Sequence, residues 1–142
     1  MQRERATAEQ ARSQARRLLI GDGIVAFVVG LLTALFASWL GDAVVVVPPD
    51  VIVAIGALSA ILGAALALTA RRAPVRRRLL STVVAFNVAC VVAIGLLLGV
   101  AGGQMPDHGR WLLTAVAVVA GTFAALEWMV PRRHLPGREG RA

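Results

Sequence analysis

VIVAIGALSAILGAALALTA, residues 51–70, is an unbroken run of twenty residues without a charge, a proline or an aromatic ring. Wound as an α-helix rising about 1.5 Å per residue, it measures about 30 Å, the thickness of the hydrocarbon core of a bilayer. Three other stretches have the same character: 18–40, whose only charge is Asp22; 79–101, which has none; and 111–130, whose only charge is Glu127. In lipid every backbone N–H and C=O must be bonded within the chain, so such segments span as helices. Four short segments are also too few to close a β-barrel. The fold class read from the sequence is therefore all-α, an integral membrane antiparallel four-helix bundle.

The composition agrees. Hydrophobic residues make up 58% of the 142 and the mean hydropathy is +0.74, above the apolar share of about 45–50% usual for soluble domains. The net charge of +7 comes from fifteen basic residues, all arginine, against eight acids. Those arginines form short clusters between apolar runs rather than a continuous polar face, which argues against nucleic acid as a partner. Cys90 is the only cysteine, so no intrachain disulfide can form, and within an apolar run it reads as a small packing residue. The first apolar stretch is too long for the h-region of a cleaved signal, so it is expected to stay as a span.

The arginines orient the spans. Residues 1–17 carry Arg3, Arg5, Arg12, Arg16 and Arg17; the connection 71–78 carries Arg71, Arg72, Arg76, Arg77 and Arg78; the tail 131–142 carries Arg132, Arg133, Arg138 and Arg141. The connections 41–50 and 102–110 hold only Arg110 against Asp42, Asp50 and Asp107. The positive-inside rule then places both termini and the middle connection in the cytoplasm, a multi-pass N-in/C-in arrangement in the cell membrane. Trp39 and Trp111 fall at the expected outer interface and Trp128 at the inner one, where amphipathic rings are favoured. The organisation is a basic cytoplasmic arm at 1–17, a transmembrane domain at 18–130 and a basic cytoplasmic tail at 131–142. The arm is rich in Ala, Gln, Glu and Arg, which suits a cytoplasmic extension of the first helix, a helix lying on the anionic inner leaflet, or a solvated arm. Gly41-Asp42 is expected to end the first helix and Pro48-Pro49 to open the second, with Val44 to Val47 extended between them or lengthening a tilted helix.

Helices in lipid associate through close backbone approach, so small residues at i, i+4 spacing mark contact faces. Such rows are Ala26, Gly30, Ala34 and Ser38; Gly56, Ala60 and Ala64, with Ser59, Gly63 and Ala67 beside them; Ala85, Ala89 and Ala93; and Ala117, Gly121 and Ala125. The double row on the second span leaves room for a homodimer or for another membrane protein as partner.

Asp22, Asn87 and Glu127 are the strongly polar side chains inside the spans. An ionisable group there faces the bundle interior, finds a partner or holds a proton, and is a functional candidate by default. All three lie in the cytoplasmic half, which permits a polar pocket for a cation, a proton or a polar head group. The bland reading pairs Asp22 with Arg16 or Arg17 and Glu127 with Arg132 or Arg71, and bonds Asn87 to a helix carbonyl. Gly21-Asp22-Gly23 lacks the spacing and the lysine of a phosphate loop. His108 and His134 fall on opposite sides of the membrane, so no metal or haem site is expected. Ser59, Ser81, Thr82 and Thr114 have no neighbouring base and suit back-bonding to helix carbonyls better than catalysis. No catalytic residue and no cofactor is expected.

Leu-Ile-Gly-Asp-Gly at 19–23, Ala-Phe-Asn-Val-Ala at 85–89 and Phe-Ala-Ala-Leu-Glu at 123–127, set in a four-span plan, resemble small uncharacterised integral membrane proteins of actinobacteria. The resemblance covers nearly the whole chain and implies the topology, with no activity attached. The reading put first is a non-enzymatic interaction or accessory component working through its basic cytoplasmic face. The alternative is a small proton- or cation-coupled transporter or channel subunit using Asp22 or Glu127.

Overall fold

Helix formation begins in the arm. In a computed structural model describing residues 2–43 and 47–130, α1 runs from Gln2 to Leu35 without interruption. Of the three conformations open to the arm, the chain takes the helical extension, because strong helix formers fill it and no Gly or Pro breaks it before Gly21. Ala11, Ala15 and Leu19, spaced by four, are buried on one face of this extension. After a single turn residue at Phe36 the helix resumes as α2, Ala37–Ala43. The backbone bonds Phe36 N–H to Leu32 O and Leu40 N–H to Phe36 O, both 2.9 Å, carry the ladder across the break.

Gly41 therefore lies inside α2 rather than ending the first helix. Its missing side chain admits Pro49, whose Cγ would stand 3.0 Å from a Cβ there. Val44 to Val46 lie outside the described residues, as does the tail 131–142 with its four arginines and His134. Val47 packs with Ala101 and Met105.

The third helix, α3, spans Pro49–Arg72 with proline in its first turn, where the missing N–H does no harm. It stops at Ala73, held extended by Pro74. Next come α4, Arg77–Ala101, a 3-10 turn at Gly102–Gln104, and α5, Asp107–Met129, which opens after Pro106 with Asp107 paired to Arg110. The described residues contain no strand. Among the described residues, four helices are long and apolar enough to cross a membrane.

The helices associate chiefly as two pairs, α1 on α3 and α4 on α5, while α3 and α4 barely touch despite their short connection. Gly23 meets Gly63 and Ala67, and Gly30 meets Gly56 and Ala60, so α1 and α3 run in opposite directions. A Cβ on any of these four glycines would fall 2.5–2.7 Å from a backbone atom of the facing helix. The contacts are reciprocal: the Gly63 carbonyl covers Gly23 and the Gly23 carbonyl covers Gly63, with Gly30 and Gly56 matched likewise. This is the geometry of Cα–H···O contacts, each contributing about 0.5–1 kcal/mol. Both small rows of the second span thus belong to one contact.

On α4 the small row is not the packing face. Ala85, Ala89 and Ala93 are exposed, whereas Leu80, Val83, Val84 and Asn87 are buried. In the α4–α5 contact Val91 stands against Gly121, its Cγ2 3.7 Å from where a Cβ would lie. One apolar cluster joins both pairs at the arginine-rich end: Ala15 and Leu19 of α1, Ala70 of α3, Val75 of the connection, Leu80 and Val83 of α4, and Val130.

Candidate functional site

The glycine contact sets the direction of Asp22. Successive helical residues point about 100° apart, so with Gly23 pressed on α3, its neighbour Asp22 is turned off that contact and meets Asn87 of α4. Asn87 extends the buried row of Leu80, Val83 and Val84 by one turn. Glu127 continues the buried face of α5 three residues after Ala124. All three polar residues are buried, Asp22 and Asn87 at 7% exposure each and Glu127 at 0%.

The structure brings the three together. Asn87 Nδ2 donates to Asp22 Oδ2 at 3.2 Å in a buried bond joining α1 to α4. Glu127 lies within electrostatic reach of Asp22 and of the Asn87 amide. Neither Glu127 oxygen has a hydrogen-bond partner among the described residues. A buried carboxyl without a partner is costly as an anion, and an unpaired buried ion costs several kcal/mol.

The anchoring contacts expected of a bland role are not formed by Asp22 and Asn87. Asp22 takes the Asn87 amide rather than Arg16 or Arg17, and Asn87 bonds Asp22 rather than a helix carbonyl. Arg16 instead closes the end of α3, its Nε donating to Ala70 O at 3.0 Å and its Nη2 to Arg71 O at 2.7 Å. Those carbonyls would otherwise lack intrahelical partners. Arg132 lies outside the described residues. Thr114 does back-bond, to Arg110 O at 2.8 Å.

An apolar layer separates the centre from the arginine-rich end. Leu19 precedes Asp22 by three residues, Val83 precedes Asn87 by four, and Val130 follows Glu127 by three, and all three side chains belong to the cluster at that end. Cys90 is a free, half-buried thiol one turn beyond Asn87. Among the described residues no three His, Cys, Asp or Glu side chains are grouped as a metal site would require. His108 stands beside Trp39, ring centroids 6.0 Å apart. A recess lined by Asp107, Arg110, Trp111 and Thr114 lies on α5 alone, away from the centre.

Sequence reasoning missed two features. The seven-residue spacing of Gly23 to Gly30, matched by Gly56 to Gly63, was the available signal for the α1–α3 contact. The layer of Leu19, Leu80, Val83 and Val130 had no signal of its own among so many apolar residues. Comparison of the chain with known protein families, with curated proteins and with solved structures gives no match in any of the three.

Proposed function

We propose that this chain is a multi-pass protein of the cell membrane, an antiparallel four-helix bundle with both termini in the cytoplasm. In this reading Asp22, Asn87 and Glu127 form a centre that binds a proton or a small cation, and the protein is a small coupled transporter or channel subunit. The observation that carries it is Glu127, fully buried with both oxygens unpartnered beside a second carboxyl. An anchoring acid would reach arginine or water, and its burial moves the reading from accessory component to ion-handling centre. The arginine clusters that meet at one end support the orientation.

The experiment is proton or cation flux in proteoliposomes under an imposed gradient, comparing the intact chain with Glu127→Gln and Asp22→Asn. Flux above empty liposomes that both variants abolish, with helicity unchanged, is the expected result. Equal, background flux from all three sinks the proposal.

A second reading keeps the protein as a non-enzymatic interaction or accessory component. It is favoured by the exposed guanidinium-bearing side chains of Arg12, Arg17, Arg71, Arg72, Arg76, Arg77 and Arg78, which suit the anionic inner leaflet or an acidic face of another membrane protein. Partner loss on neutralising these arginines, with no effect of Glu127→Gln, would support it.

A further inference from the structure

Resting on the reading of an ion-handling centre, we infer that its ligand is a single proton held by Glu127, facing an ionised Asp22 that the Asn87 amide stabilises, rather than a metal cation. Three observations lead there.

The first is the division of donors. Two adjacent carboxylates in a low-dielectric interior do not both remain ionised unless a cation joins them. Asn87 donates its N–H to Asp22 at 3.2 Å, whereas the same amide lies near Glu127 without forming a hydrogen bond to either of its oxygens. A proton added to a Glu127 oxygen removes the unpaired buried charge. The balance is simple: one proton enters, one carboxylate becomes a carboxylic acid, and the pair keeps one negative charge.

The second is ligand number. Ca²⁺ and Mg²⁺ take about six or more oxygens, and an alkali cation stripped of water likewise needs a shell of them. The centre offers two carboxyls and an amide that presents its N–H, and no third acidic or metal-ligating side chain joins them among the described residues. The third is the set of groups facing Glu127. From α1 comes Asp22, and from α4 comes Asn87. Where α3 packs on Gly23 of α1, the residues in contact are Gly63 and Ala67, neither of them ionisable. Arg16 is engaged by the end of α3, and Val130 closes the arginine-rich side. No basic side chain among these competes for the carboxyl.

The test is infrared difference spectroscopy of the full chain in detergent at neutral pH, in H2O and D2O, with a thermal unfolding series in sodium, lithium or choline chloride. The inference expects a protonated carboxyl C=O band that shifts in D2O, is lost in Glu127→Gln and persists in Asp22→Asn. It also expects the same unfolding midpoint in all three salts. Glu127→Gln is the neutral isostere of the proposed state, so it is expected to fold. A sodium- or lithium-dependent rise in midpoint that Glu127→Gln abolishes overturns the proton assignment while leaving a cation centre intact. No carboxyl band and no salt effect overturns both readings.

Discussion

Gly30→Ala measures how far the α1–α3 contact depends on backbone approach. A Cβ at Gly30 would lie 2.5 Å from Ala60 N, 2.6 Å from Gly56 O and 2.9 Å from Ser59 Cβ, where ordinary contact is 3.4–4 Å. The helices must therefore part locally by about 1 Å, an overpacking cost of about 1–3 kcal/mol. Parting also weakens the reciprocal Gly30–Gly56 pair, at about 0.5–1 kcal/mol per contact. Alanine returns about 1 kcal/mol of helix propensity, leaving a net loss of about 1–3 kcal/mol. The assay is reversible unfolding in detergent micelles followed by far-ultraviolet circular dichroism. Gly95→Ala and Gly99→Ala are the internal controls, since nothing stands within 4 Å of a Cβ at either position. They are expected to match the parent or gain up to about 1 kcal/mol. Gly30→Ala as stable as the parent, or Gly95→Ala equally damaging, would refute the packing argument.

Asn87→Ala removes the donor to a buried carboxyl and is expected to cost about 1–3 kcal/mol in the same unfolding assay; no change would mean that Asp22 has another partner. Arg16→Leu strips two hydrogen bonds from the end of α3, with an expected loss of about 1 kcal/mol because the site is partly exposed. Parent-like unfolding of that variant would show that water replaces the guanidinium. Cys90 is a built-in reporter of access to the centre: with the layer of Leu19, Leu80, Val83 and Val130 in place, a membrane-impermeant thiol reagent applied from the arginine-rich side of oriented vesicles should leave it unlabelled. Leu19→Ala should raise its labelling rate from that side; fast labelling of the parent contradicts the seal.

The four helices were legible because charge-free runs of span length are rare by chance, and each expected span falls on a helix, with the first carried on through α2 after a break at Phe36. The pairing was only partly legible. Alanine is so common here that an i, i+4 row arises on a lipid-facing side as readily as on a contact, as Ala85, Ala89 and Ala93 demonstrate by their exposure. Glycine was the better marker, since it alone permits backbone atoms to occupy the space of a Cβ, and a spacing of seven repeated on two helices is harder to produce by chance. Asp22 could be aimed toward neighbouring helices from its own helix, because it shares a face with Ala26, Gly30 and Ala34. The meeting with Asn87 and Glu127 could not, because it depends on how the α4–α5 pair is set against α1, a long-range arrangement with no local signature. Gly41 read as a helix end because glycine favours such ends, yet here the same missing Cβ admits Pro49.

A double-mutant cycle on Asp22 and Glu127 tests the central claim most directly. Unfolding free energies would be measured for the parent chain, Asp22→Asn, Glu127→Gln and the double variant, with Asn87 untouched. If the two carboxyls form one centre, their effects are non-additive, with a coupling of about 1 kcal/mol or more. Additivity to within about 0.5 kcal/mol would mean that the two acids do not interact, and the proposed centre would be withdrawn.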